Sequence, residues 1–242
     1  MNKFLFTGIF IIYAFSTFSQ NANEILRKHD EVTYAPKDQK SELSIILTDR
    51  KGNTSTRKAV MYQKGQNMRL TRFTYPESQA GIGFLSLPND VMYVYLPAFG
   101  NERRIASHVK NQTFAGTDFS YEDMESVPTS TKYNAKLVNT TASAYVLELT
   151  PKDVTKASYS KLVSHINKEH YYGIKTEYYN KGGVKIKELI NTVEKRGNYW
   201  ISVSAEMTDL TKSHKTKMVN SKVEFDTNLK DDFFTVRNLK NQ

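Results

Sequence analysis

From Leu43 onward, apolar and polar side chains alternate at every second position in runs of six to eleven residues, and each run stops at a turn signal. Leu43 to Thr48, Thr56 to Gln63, Met68 to Thr74, Ile82 to Leu87 and Val91 to Leu96 form the first set. Between them lie Asp49-Arg50-Lys51-Gly52-Asn53, Lys64-Gly65-Gln66-Asn67, Pro76-Glu77-Ser78 and Pro88-Asn89-Asp90. Connections this short join antiparallel neighbours, because a parallel crossover needs about a dozen residues. The pattern resumes in Lys132 to Asn139, Ala144 to Thr150, Tyr159 to Ile166, Tyr171 to Tyr179, Val184 to Val193, Tyr199 to Met207 and Lys215 to Phe225. Asn180-Lys181-Gly182-Gly183 and Lys195-Arg196-Gly197-Asn198 read as hairpin turns. About a dozen strands are expected.

Apolar residues make up 39% of the 242, which is low for a compact two-layer globule and fits a sheet with one wet face. Alternation turns one face inward, and a strongly curved sheet wraps that face around its contents. A short amphipathic helix is expected over Asn23 to Tyr34, with Asn23 as N-cap, Ile25, Leu26 and Val32 inward, and Pro36 closing it. Such a helix plugs the concavity; a loose plug leaves a site for an apolar ligand. Residues 97–131 are rich in Gly, Ser, Thr and Asp and read as a long irregular insert, of the kind that is functional or carries short helices. No stretch of linker composition divides the chain, so residues 20–242 are expected to form a single domain.

Met1-Asn2-Lys3 precedes a twelve-residue apolar run from Phe4 to Phe15, and Thr17 and Ser19 stand where a peptidase cutting before Gln20 needs small residues. Residues 1–19 therefore read as a secretory signal peptide. The run is too short for a spanning helix of about twenty residues, and no later stretch reaches its length, so the mature chain is not expected to span a membrane. Zero cysteines exclude disulfides, thiolate metal sites, a cysteine nucleophile and a lipid-modified N-terminal cysteine.

The chain carries 34 Lys and Arg against 25 Asp and Glu, a net +9. The basic residues are scattered in groups no larger than Arg103-Arg104 or Lys185-Ile186-Lys187, which reads as a solvated surface, and nucleic-acid binding is not expected. Catalytic patterns are sparse. The five histidines form no His-x-x-x-His or His-x-His pair; His165 and His170 lie across a predicted tight hairpin, with a surface or packing role as the expectation. There is no Gly-x-Ser-x-Gly elbow and no phosphate-binding loop. Gly81-Ile82-Gly83 lacks the third glycine of a dinucleotide loop and reads as a bend or bulge in a strand. Asp118, Glu122 and Asp123 supply carboxylates within six residues, expected as a capped, solvated turn rather than an acid-base or calcium site. No catalytic residue, metal ligand or cofactor is expected.

The most distinctive segment reads Tyr95-Leu96-Pro97, then Arg103-Arg104-Ile105-Ala106, then Phe114-Ala115-Gly116-Thr117-Asp118-Phe119-Ser120-Tyr121-Glu122-Asp123-Met124. It resembles the signature of the outer membrane lipoprotein-sorting protein family, a branch of the LolA/LolB-like superfamily of bacterial periplasmic carriers. Glu24-Ile25-Leu26-Arg27-Lys28 is similar to that family's opening helix, Gly81-Ile82-Gly83-Phe84-Leu85 to its glycine-marked strand, and Glu177-Tyr178-Tyr179-Asn180-Lys181-Gly182-Gly183 to its late hairpin. The family's tryptophan and aspartate before that hairpin are replaced by Ser164-His165-Ile166-Asn167.

The resemblance implies a mainly β (α+β) fold in which a curved antiparallel sheet forms an incomplete half-barrel, its concave face closed by helices or a loop. It also implies a periplasmic chaperone of outer membrane biogenesis that binds lipoprotein acyl chains or a lipid without chemical turnover. Partners would be an inner-membrane exporter and an outer-membrane acceptor. Leu70, Phe73, Phe84, Tyr93, Tyr95, Tyr172 and Ile174 are the candidate groove residues, from aromatic-rich strands that equally suit a packed core. Arg103, Arg104, Phe114, Gly116, Thr117, Asp118, Phe119, Tyr121, Glu122 and Asp123 form the candidate lid or rim, with the two arginines expected to pair with the three carboxylates. The alternative is an envelope adaptor whose concave face is filled by its own side chains and which binds a protein partner.

Overall fold

A computed structural model of the chain describes residues 14–240, with side chains from Ala22 onward. Most of the leader segment expected at 1–19 lies outside the described residues. Helix α1 (Ala14–Thr33) is followed by six strands: β1 (Asp38–Thr48), β2 (Thr54–Lys64), β3 (Met68–Tyr75), β4 (Gly83–Leu87), β5 (Val91–Leu96) and β6 (Asn101–Arg104). One turn of 3-10 helix (Pro97–Phe99) precedes β6; after β6 the insert carries two more (Ser107–Val109 and Phe114–Gly116) and ends in α2 (Thr129–Lys132). Seven more strands follow: β7 (Tyr133–Thr140), β8 (Ala144–Pro151), β9 (Lys161–Asn167), β10 (Gly173–Tyr179), β11 (Lys185–Arg196), β12 (Tyr199–Asp209) and β13 (His214–Phe225). The short helix α3 (Val236–Lys240) closes the described chain.

All thirteen strands belong to one antiparallel sheet in the order β6-β5-β4-β3-β2-β1-β13-β12-β11-β10-β9-β8-β7. Two meanders thus meet where β1 pairs with β13, and the sheet stays open, with β6 and β7 as its edges. Those edges are joined directly by the insert, so the insert must cross the open side of the sheet as a strap. Laid flat, thirteen strands spaced about 4.8 Å apart would put the edges roughly 60 Å apart, and sheets of that size curl. Register shifts at Glu42/Leu43, Lys58/Ala59 and Thr192/Val193 add bend.

The alternation read from the sequence becomes two faces. Leu47, Thr216, Met207, Leu189, Thr176, Ser164 and Leu147 stand opposite one another on successive strands, a single row across the concave face. Ala22, Ile25 and Leu26 of α1 pack into that face with Phe73, Phe84, Met92 and Phe114, all buried. The convex face of β3 to β5 is covered separately: Leu70 and Leu85 pack with Phe234 and Leu239 of the C-terminal segment.

The helix begins well before Asn23, at Ala14. Asn23 is consequently no N-cap; its side-chain oxygen accepts the Ala135 N–H of edge strand β7 at 2.9 Å. The strand β6 had no sequence signal, since Asn101-Glu102-Arg103-Arg104 shows no apolar alternation. Gly83, by contrast, is a close-approach glycine. A Cβ there would stand 2.6 Å from Leu239 Cδ1 and 2.9 Å from the Leu239 carbonyl oxygen.

Candidate functional site

The strap's carboxylates are buried, not solvated. Asp118 Oδ2 accepts the Thr216 hydroxyl and the His214 Nδ1–H, each at 2.7 Å, and the Asp118 N–H donates to Thr216 Oγ1 at 3.0 Å. These bonds fasten the strap to β13. Asp123 accepts from the Ser120 N–H at 2.8 Å and the Tyr159 hydroxyl at 3.0 Å, and Lys187 of β11 reaches it at 3.3 Å. Burial first, then the nearby Asp123 charge, push the Tyr159 phenol far above its ordinary range. Glu122 accepts the Ser158 N–H at 3.0 Å. The far end of the strap is tied to α1: the Asp30 carboxylate accepts the N–H groups of Thr129 and Ser130, and the Tyr34 hydroxyl donates to the Val127 carbonyl. Gly116 turns the tip in a left-handed conformation (φ 72°), which presents the Ala115 carbonyl to Arg57.

Each buried carboxylate in this strap has a cation or donor from another element, because an isolated one would cost several kcal/mol. The expected partners were Arg103 and Arg104. Both are exposed instead, on the edge strand β6, with Arg103 lying over the Phe99 ring at 5.1 Å. Lys132, Lys187 and His214 hold the carboxylates in their place.

Between α1, the strap and strands β1 to β3 and β9 to β13 lies a cavity of about 430 Å³. That is within the roughly 300–1,000 Å³ of small-molecule sites. Leu26, Leu43, Met61, Val193, Ile201 and Met218 supply apolar wall, and Trp200 and Tyr172 stand at one side, their rings 5.1 Å apart. His170 stacks on the other contact of Trp200 at 4.4 Å, while His165 lies on β9 opposite Val146 and Lys175, so the two histidines do not converge. Among the described residues, no group of three or more His, Asp or Glu is placed to hold a metal ion.

The polar end of the cavity is formed by β1 to β3 and the strap. Arg69 donates from Nε and Nη2 to Gln63 Oε1 at 3.1 and 2.7 Å, and from Nη1 to the Met124 carbonyl at 3.2 Å. It lines the cavity, and burial lowers its pKa, opposed by the Tyr34 oxygen. Lys132, on the same wall, faces Glu125 at 2.8 Å and Glu122 at 3.3 Å. Burial works against the Lys132 charge, but Glu122 and Glu125 outweigh it and its pKa is raised. His29 also faces the cavity; burial lowers its pKa, opposed by the hydrogen bond between Nδ1 and the Tyr171 carbonyl.

A second cavity of about 500 Å³ lies beyond Glu122, Glu125 and Lys132, lined by Asp90, Lys110, Pro128 and Lys152 among others. Lys110 bridges Asp90 and Glu125 there, so this charged partition separates the two spaces.

Of the seven candidate groove residues, Tyr172 lines the first cavity. Phe73 and Phe84 are fully packed beside it around Phe114. Leu70, Tyr93 and Tyr95 lie on the convex face under the C-terminal segment, since their parity on β3 and β5 is opposite to that of Phe73, Met92 and Val94. Ile174 falls in the register shift of β10, which turns it away. In the strap, Phe119, Glu122 and Asp123 line the cavity, Phe114 and Tyr121 pack with Phe84, and Thr117 is buried with its hydroxyl donating to the Phe114 carbonyl. Sequence reasoning missed Arg69, Gln63, Ser41 and Trp200. The one available signal was the place of Arg69 on the same face of β3 as Thr71 and Phe73.

A family model described as "Uncharacterized protein" matches residues 65–241. No curated protein matches the chain. Among solved structures, a chain described as an outer membrane lipoprotein-sorting protein domain from Vibrio parahaemolyticus superposes with a TM-score of 0.85 at 27% identity, over 92% of this chain and 99% of that one. A DUF1329 family protein from Desulfovibrio piger matches at 0.85 and 26%, with the same coverage of each chain. A LolA superfamily protein from Nitrosomonas europaea shares the fold at 0.75 and 20% identity, over 88% and 97%. Among the described residues, no helix is long and apolar enough to cross a membrane. The chain belongs to the family of that model, and its half-barrel is the LolA-like fold of the outer membrane lipoprotein-sorting proteins.

Proposed function

We propose that this protein is an exported carrier of the bacterial periplasm, which shelters an acyl chain of a lipoprotein or lipid in the cavity between α1, the strap and the sheet. The observation that carries this reading is the 430 Å³ cavity itself, a half-open space on the concave face flanked by the strap that joins the two sheet edges. Leu43, Met61, Ile201 and Met218 give it an apolar wall. Each methylene sheltered there is worth about 0.8 kcal/mol, so a partly buried chain offsets its exposure to water by several kcal/mol. The signal peptide at 1–19 supplies the route of export, and the described relative's assignment to lipoprotein sorting supports the cargo class.

No turnover belongs to this reading. Donor and acceptor would be an inner-membrane exporter and an outer-membrane component, and loading or release would require the strap to loosen at Asp118, Asp123 or Asp30.

The adaptor alternative draws on the other half of the concave face, where Phe73, Phe84, Met92 and Phe114 leave no room. Organic extraction of the exported protein, followed by uptake of a fluorescent fatty acid by the stripped protein, separates the two. The carrier yields an extractable acyl compound and saturable uptake, and an adaptor yields neither.

A further inference from the structure

We infer that the cavity is built for a carboxylate-headed single-chain amphiphile, with the headgroup received by Arg69 and the chain lying toward Met218 and Ile201. This inference rests on the carrier reading and names its ligand class. Two cationic side chains stand on the cavity wall, Arg69 and Lys132. Lys132 is matched by Glu122 and Glu125. Among the described residues, no carboxylate forms an ion pair with Arg69; its partners are the Gln63 amide oxygen and the Met124 carbonyl, both neutral. Three of its five N–H groups are spent on them, leaving one on each terminal nitrogen. A carboxylate is the anionic acceptor best matched to a guanidinium with N–H groups to spare.

The surroundings of Arg69 are also polar beyond what packing requires. Gln39, Gln63, Arg69 and Ser86 form one cross-strand row over β1 to β4, and Ser41, Met61 and Thr71 form the next. Among the described residues, the hydroxyls of Ser41 and Thr71 are buried without a hydrogen-bond partner, and so is Asn220 Oδ1 on neighbouring β13. Ser41 is 1% exposed and lines the cavity, as does Asn220. A buried hydroxyl left unpaired is costly, and a ligand oxygen in the cavity would satisfy it. The carboxylates on the same wall are already engaged by Lys132, Lys187 and Tyr159. One unmatched cation balances one negative charge, which favours a carboxylate over a phosphate monoester carrying nearly two.

Trp200 is the single tryptophan and lines the cavity, so its fluorescence reads binding directly. The exported protein, stripped of bound lipid, is titrated with palmitate, methyl palmitate and hexadecyl phosphate. Palmitate should bind about ten- to a hundredfold more tightly than its methyl ester, the range of a hydrogen bond to a charged group. In Arg69→Gln that preference should fall below about threefold. Gln63→Glu, which leaves Arg69 in place and supplies it with an internal carboxylate, should likewise bring the palmitate preference below about threefold. Equal binding of palmitate and its ester by the wild type, or tighter binding of hexadecyl phosphate, would overturn the carboxylate assignment and leave the carrier reading standing. Binding of none of the three would overturn both.

Discussion

Replacing Asp118 tests how firmly the strap is fastened to the sheet. The Asp118 side chain and Thr216 are 3% and 0% exposed, so neither is rescued by water. In Asp118→Ala the Thr216 hydroxyl keeps the Asp118 N–H as donor but loses the acceptor for its own proton, and His214 loses its Nδ1 acceptor. A buried donor without an acceptor costs about 1–3 kcal/mol, and the lost bond from a charged acceptor about as much again, offset by the desolvation of Asp118 that the variant no longer requires. The net loss expected is about 3 kcal/mol. For a domain of this size that lowers Tm by about 6–12 °C. His214→Ala removes only the partner whose side chain is 25% exposed and should cost about 1 kcal/mol. Urea unfolding followed by circular dichroism gives the three stabilities. A double-mutant cycle of Asp118→Ala with Thr216→Val should show coupling of at least about 1 kcal/mol. An Asp118→Ala variant within 0.5 kcal/mol of wild type, or additive behaviour in the cycle, refutes the fastening.

Gly83→Ala should lift the C-terminal segment off β4, because the new methyl meets the Leu239 backbone as well as its side chain; about 1–3 kcal/mol is lost, and limited proteolysis should release residues after Asp226 faster than in wild type. Ala205→Phe fills the cavity from β12 and should reduce fatty-acid uptake at least tenfold with little change in unfolding midpoint; unchanged uptake places the ligand elsewhere. Glu177 sits between Lys175 and Lys185, and although burial raises its pKa, hydrogen bonds from Lys185, Lys175 and Tyr179 outweigh it and hold it down to about 2. A carboxylate depressed in the folded state stabilises above its unfolded pKa, so this contribution, about 1 kcal/mol after solvent screening, should fade as pH falls from about 4.5 to about 2. Glu177→Gln should lack that part of the acid dependence, and a profile identical to wild type would sink the assignment.

The strands were legible because alternation and turn chemistry are local. Val91–Leu96 falls where its pattern ends, and Asn180-Lys181-Gly182-Gly183 closes its hairpin, with the Asn180 side chain accepting the Gly182 and Val184 N–H groups. Edges were harder. The strand β6 pairs with β5 on one side and faces outward on the other, so nothing selects apolar residues in it. The fate of Asp118, Glu122 and Asp123 was hidden for a different reason: carboxylates in a Gly- and Ser-rich stretch look solvated until partners arrive from β11, α2 and β13, up to ninety-eight residues away. Leu70 and Phe73, both candidate groove residues, have opposite parity on β3 and face opposite sides of the sheet; which parity faces the concavity depends on the direction of curl, a property of all thirteen strands together. The cavity has no sequence signature at all, since it is space left between elements, and Arg69 shows its meaning only once that space is seen beside it.

Native mass spectrometry of the exported protein, purified without detergent, tests the carrier reading most directly. A mature chain beginning at Gln20 with one acyl-bearing molecule bound per protein, released on raising the collision energy, is the result the account predicts. A bare protein mass from that preparation, joined to no uptake of added fatty acid, would contradict it and turn attention to protein partners of a filled and silent fold.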